Sequence, residues 1–269
     1  MENQTSSTGK FNSWFAVAAI VLALLFSFIL YFKVLGNPAN FQGENIANHP
    51  KEGNYLGIVY KGGLIVPILM SFNLMVLVFS IERMITITKA SGSGSVNSFI
   101  RKIKGYLSSN DIRAAIEECD KQKGSVGNVV KSVLHKFEGL SKEDGLSKDQ
   151  KLAAIQKELE EATSLELPML EKNLTIIATL ASIATLTGLL GTVIGMIKAF
   201  AALATAGSPD AVALANGISE ALINTALGIA ASALAIIAYN FFTSKIDDLT
   251  YNIDEIGFSI TQSFSASTK

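Results

Sequence analysis

The sequence predicts an all-α, polytopic membrane protein in which long transmembrane helices extend into a cytoplasmic helical domain. Three observations carry this reading. Four apolar segments, Trp14–Phe32, Leu64–Ile81, Leu174–Ala206 and Ala211–Phe242, are each long enough to cross a hydrocarbon core of about 30 Å at about 1.5 Å per residue. Between the second and third lies a polar stretch whose apolar residues recur at helical spacing. No run reads as a convincing strand.

The expected organisation follows the chain. A first membrane helix falls in 1–35, an external loop in 36–62, a second membrane helix in 63–83, a cytoplasmic helical domain in 84–173, a membrane hairpin in 174–243 and a cytoplasmic tail in 244–269. The first segment reads as an uncleaved anchor. Its apolar run is long for a signal peptide, Lys10 is the only basic residue before it, and no small-residue cleavage site stands out near Leu35, Gly36 and Asn37. Cleavage would leave the remaining topology unchanged.

Orientation follows from where the basic residues lie. Of 22 Lys and Arg, 15 fall between Arg83 and Lys172, whereas Gly207–Asp210 has none and the 36–62 loop only Lys51 and Lys61. The positive-inside rule then puts both termini and the central region in the cytoplasm. Net charge is −1, so bulk charge does not point to nucleic acid.

Within the central region, Ser91–Ser95 reads as a flexible Gly/Ser connector. Helices are expected over Val96–Leu107, over Asp111–Gln122 with Asn110 as cap, and over Val126–Phe137. Gly139–Ser147 reads as a loop. From Lys148 a charged helix is expected to run straight toward the third membrane segment, with a kink at Pro168. Ser208 and Pro209 read as the cap and first turn of the fourth segment.

The hairpin holds the candidate chemistry. Thr185, Gly188, Thr192, Gly195 and Ala199 share one face of its first helix, and Ala221, Thr225, Gly228, Ser232 and Ala235 one face of its second. Such stripes let backbones approach, as Gly191 and Gly195 also would. They can equally line a polar path, and both readings hold together if several helices ring a central space. Counted from the turn, Thr192 and Thr225 each lie about sixteen residues away, roughly 25 Å in depth. Level hydroxyls at that depth could line a path, or each could bond the carbonyl four residues earlier.

Glu220 lies inside the apolar run, where a carboxylate is costly and usually marks an ion or proton pathway. Lys198 sits at about the same depth, about ten residues from the turn against about eleven. The two could pair, which would lower the cost of both charges, or Lys198 could snorkel to the head groups. Asn224 lies one turn after Glu220, and Ser232 and Asn224 are further candidate polar support.

Other chemistries find no support. The single cysteine, Cys119, allows no intrachain disulfide, and His49 and His135 lack nearby Cys partners for zinc. Phosphate-binding glycine loops, nucleophile elbows and His-Glu-x-x-His are missing. Nothing in the sequence gives a positive reason to read an enzyme. One Glu is also few for a chain that moves protons alone.

The run Gly188-Leu-Leu-Gly-Thr-Val-Ile-Gly195, the run Gly217-Ile-Ser-Glu-Ala-Leu-Ile-Asn-Thr-Ala-Leu-Gly228 and the pair Tyr239-Asn240 resemble the MotA/TolQ/ExbB proton channel family, closest to its ExbB and TolQ branch. The resemblance covers about 174–240 well, and Glu82-Arg83 at the inner end of the second membrane helix also fits. It implies a homopentamer in the bacterial inner membrane around two transmembrane helices of an ExbD-like partner dimer, whose aspartate carries the proton. Protons are then the coupling ion, no cofactor is needed, and work passes to a TonB-like or Tol-type protein. Carried over by motif, Thr192 and Thr225 face the pore near that aspartate, and Glu220 lies nearer the periplasm. Gly188, Gly191, Gly195 and Gly228 serve helix packing. The chain departs from the pattern in its added first helix and internal N-terminus, in Leu234 where relatives often have proline, and in Lys198.

Overall fold

A computed structural model describes residues 5–143, 145–204 and 210–267, with backbone alone over 5–13. The expected cap and first turn at Ser208 and Pro209 lie outside the described residues. Among the described residues the chain is mostly helical, without a β-strand, and four helices are long and apolar enough to cross a membrane. The protein is therefore an all-α, multi-pass membrane protein. It divides into two compact units, one of residues 1–80 and 175–239, the other of 81–174 and 240–269.

The first unit begins with α1, Thr5–Leu30, which widens into a π-turn over Tyr31–Leu35. A widened turn leaves carbonyls without helical donors. Asn40 supplies them, its amide donating to Val34 O at 2.8 Å and Leu35 O at 3.0 Å. The Asn40 carbonyl accepts in turn from Asn54 at 3.1 Å, and Asn54 caps α2, Tyr55–Tyr60, by accepting from Gly57 N. The segment read as a simple loop is thus tied at both ends. Fully buried Phe41 anchors its middle, against the Tyr60 ring at 5.6 Å and with Lys61 Nζ at 5.5 Å.

The rest of this unit is the first part of α3, Ile65–Ser91, together with α8, Leu174–Leu203, and the first part of α9, Ala211–Ser267. Asp210 starts α9 by accepting from the N–H groups of Val212 and Ala213, both at 3.0 Å.

In the second unit α4, Val96–Ser108, α5, Ile112–Gln122, and α6, Gly124–Ser141, each bury one face. With α7, Lys148–Glu171, they enclose Phe99, Ile103, Val126, Val133, Leu134, Phe137 and Ile155. The end of α9 contributes Ile246, Leu249, Ile253, Ile256 and Ile260, alternating three and four residues apart, then Phe264 edge-on to Phe137 at 4.9 Å. A stripe with that spacing is a helix seam. The region expected as a tail is therefore helix with a buried face. Cys119 lies in the same core, and burial pushes its thiol up to about 12, which suits packing and not nucleophilic chemistry.

Three local expectations change. Asp111 caps α5, accepting from Ala114 N at 3.0 Å, while Asn110 takes a left-handed φ of 55°. Ser91–Ser95 is no free connector: Ser93 N donates to Gln122 O at 2.6 Å and Gln122 Nε2 to Ser91 O at 2.7 Å. Its Gly92, with φ 80°, fits against the backbone of Gln122 and Lys123 where any Cβ would collide. The charged helix from Lys148 continues through Pro168 but stops at Glu171, and Lys172 and Asn173 separate it from α8. Arg83, 2% exposed, donates to Leu170 O at 2.8 Å and pairs with Glu82, which also accepts from Asn173 at 3.0 Å. A buried guanidinium needs such saturation, because an unpaired charge there is strongly destabilising.

Candidate functional site

α8 and α9 meet backbone to backbone. A Cβ on Gly188 would lie 2.9 Å from Asn224 O, one on Gly195 2.6 Å from Ala221 N, one on Gly217 2.7 Å from Ala199 N and one on Gly228 2.7 Å from Ala184 O. Gly191 receives the Asn224 side chain, whose Cγ would be 2.6 Å from a Cβ there. Small residues are required on this seam because anything larger forces the helices apart. Ala184, Gly188, Gly191, Gly195 and Ala199 form the buried face of α8, whereas Thr185 is exposed and off it.

Three polar layers interrupt the seam. In the first, Lys198 Nζ donates to both carboxylate oxygens of Glu220, at 2.6 and 2.8 Å. Glu220 is 7% exposed, while the lysine side chain remains 55% exposed. The lysine therefore reaches across its own hairpin instead of extending away, and meets a carboxylate already enclosed by protein.

In the second layer the Thr192 and Thr225 hydroxyls hydrogen-bond to each other. Each also reaches the carbonyl four residues earlier, Thr192 to Gly188 O at 3.2 Å and Thr225 to Ala221 O at 3.2 Å. Thr192 further approaches Ala221 O at 3.4 Å. Mutual contact and self-satisfaction thus coexist, and both side chains are only partly buried. In the third layer Ser232 donates to Ala181 O at 2.6 Å, tying α9 to α8.

Asn224 is fully buried beside the Thr layer. Its amide donates to Gly62 O at 2.9 Å, and its Oδ1 has no partner. Next to it Gly63 lies on Glu220: a Cβ on Gly63 would stand 2.5 Å from Oε1. Sequence reasoning did not single out Gly62 and Gly63, and it quoted Gly217 in the family motif without giving it a packing role. The Gly-Gly pair before Leu64 is a turn signal, but nothing local says that its backbone meets residues on α9. Among the described residues, no group of His, Cys, Asp and Glu could hold a metal ion.

The sequence profile of the MotA/TolQ/ExbB proton channel family matches residues 125–255. A Tol-Pal system protein TolQ from Pseudomonas aeruginosa is 38% identical over 98 residues, 36% of this chain and 42% of that protein. A biopolymer transport protein ExbB from Xanthomonas campestris is 30% identical over 115 residues, 43% of this chain and 46% of its own length. Another protein of that name, from Helicobacter pylori, is 43% identical over 81 residues, 30% of this chain and 56% of that protein. The chain thus spans about half the length of these relatives, or less.

Proposed function

We propose that this chain, which belongs to the MotA/TolQ/ExbB proton channel family through its residues 125–255, is an ExbB-like subunit of a motor driven by the proton-motive force. In this reading it lies in the bacterial inner membrane with both termini in the cytoplasm. It forms a homopentamer around an ExbD-like partner dimer and energises TonB-dependent outer-membrane transport through a TonB-like protein.

The observation that carries the reading is the Thr192–Thr225 layer in the membrane hairpin. Two hydroxyls can each donate one proton and accept others, so they can hand a hydrogen bond to a group arriving from a partner helix. Neither is acidic enough to carry a proton alone. Glu220 is paired with Lys198; in this reading the acid that carries the proton belongs to the partner, and the chain itself performs no covalent chemistry and needs no cofactor.

A TolQ-like role in envelope maintenance is the second reading, favoured by the 38% identity to the Pseudomonas protein. Deleting the gene separates them. Loss of energised uptake supports the TonB assignment, and detergent sensitivity with intact uptake supports the Tol assignment. A purely structural scaffold is excluded if a protein with one membrane helix and a membrane aspartate co-purifies, and if Thr225→Val abolishes proton-coupled work while the complex persists. Full activity of both Thr192→Val and Thr225→Val would remove the site assignment.

A further inference from the structure

The added first helix has no task in the function proposed above, yet its end reaches the Glu220 layer through a short chain of contacts. Tyr31, at the π-turn and 4% exposed, donates its hydroxyl to Tyr60 O at 3.0 Å. The same carbonyl accepts from Gly63 N at 3.2 Å. The two rings stack at 4.7 Å, and Gly36 leaves room for the Tyr60 ring, which a Cβ there would meet at 2.6 Å. Tyr31 and Leu35 also pack with Val66, Ile223 and Leu227, so the end of α1 rests on α9 itself.

From Tyr60 the backbone passes through Gly62 and Gly63 directly over the polar layer. Gly62 N donates to Val59 O at 3.0 Å and Gly62 O accepts from Asn224 at 2.9 Å. Gly63 has φ 78°, a conformation open to glycine. It also stands where a Cβ would come within 2.5 Å of Glu220 Oε1 and 3.0 Å of Cδ. Both conformation and space therefore demand glycine at 63 while Glu220 holds its present rotamer.

Lys198 cannot fix that rotamer alone. Its side chain is 55% exposed against 9% for Glu220, and a long flexible ammonium stem follows the carboxylate as readily as it leads it. The Gly63 backbone closes in on the same carboxylate, so close that a Cβ there would meet Oε1. We infer that Tyr31 and Gly63 are positioning residues for Glu220: the first helix and its connector set the carboxylate where Lys198 can take both oxygens.

This rests on the proposed function only for the importance of Glu220; its placement can be read separately. The test is carbodiimide labelling of Glu220 in the full-length, assembled protein in membranes, followed by mass spectrometry. A carboxylate with both oxygens held by lysine should label slowly, and Lys198→Met sets the upper reference. Tyr31→Phe and Gly63→Ala should each raise labelling several-fold toward that reference, with assembly unchanged. Shortening the acid relieves the collision at position 63 but not the backbone strain of alanine at φ 78°, so Gly63→Ala with Glu220→Asp should regain only part of the work that Gly63→Ala loses. Should Gly63→Ala fail to accumulate, Tyr31→Phe and the double variant carry the test. Parent-like labelling in Tyr31→Phe overturns the inference, as does parent-like labelling in Gly63→Ala where that variant accumulates. Normal work in Thr225→Val would instead sink the functional reading and leave the labelling result standing.

Discussion

The Thr192 and Thr225 hydroxyls hydrogen-bond to each other across the hairpin while each also reaches a carbonyl one turn earlier. Two hydroxyl protons face more acceptors than they can satisfy together. More than one hydrogen-bond arrangement is therefore open to the layer, differing only by rotation of the hydroxyls. Such a layer can accept or donate toward an incoming group without moving a helix.

Thr192→Val and Thr225→Val keep the shape and remove the exchange. Each is expected to change stability by less than about 1 kcal/mol, since the remaining hydroxyl keeps its own carbonyl. Under the proposed function, proton-coupled work should fall to background. Thermal stability in detergent and uptake in cells are measured on the same variants.

The Lys198–Glu220 pair makes a non-additive prediction. Lys198→Met leaves an enclosed carboxylate alone, whereas adding Glu220→Gln removes the charge that suffers. The double variant should be more stable than Lys198→Met, with a coupling of about 1–3 kcal/mol in a thermal-unfolding cycle. Simple additivity would mean that the contact contributes nothing.

Glycine-to-alanine substitution should have opposite signs in the two units. At Gly195 the new methyl would meet Ala221 N at 2.6 Å, and overpacking of this kind costs about 1–3 kcal/mol. At Gly105, exposed on α4 with nothing within 4 Å of a Cβ, alanine should stabilise by about 0.5–1 kcal/mol through helix propensity. Unfolding of each variant by denaturant reads both signs.

Glu118 gives the second unit a pH dependence. Lys102, donating at 2.5 Å, and then Lys121 at 3.4 Å hold its carboxyl below the ordinary value. A depressed folded-state value contributes stability above the unfolded pKa, about 4.3 for Glu. That stability is lost as pH falls through the folded value. Lys102→Met should therefore move acid-induced opening of α4 and α5 to higher pH, followed by hydrogen exchange in the intact protein. In a Glu118→Gln background the same substitution should have no such effect.

The hairpin was legible because its constraint is local in kind: backbones that touch need small residues at helical spacing, and Gly188, Gly195 and Gly228 display that spacing. Thr185 was misplaced because three-and-four spacing fits two neighbouring faces, and Gly191 and Ala184 belong to the one that is buried. The helical end of α9 was present as the spacing of Ile246, Leu249, Ile253, Ile256 and Ile260 but was hidden by the polar residues between them. Composition misled at Ser91–Ser95, where glycines that suggest freedom serve close packing on Gln122. The connector before α3 was illegible for a different reason. Its order comes from Asn40 with Asn54, Tyr31 with Tyr60 and Gly63 against Glu220, contacts between residues well apart in sequence that no periodicity records.

The glycine seam between α8 and α9 also bears on how the hairpin can be redesigned. Glycine and alanine have no rotamers to freeze, so bringing the two helices together costs little side-chain entropy. For the same reason the seam has no adjustable parts with which to absorb an added atom. Exposed positions such as Leu186, Leu189 and Ile197 can be exchanged for other apolar residues without changing the distance between the two helices. Along the seam even one methyl group would set a new distance between the helices, and with it a new spacing for every polar layer they carry.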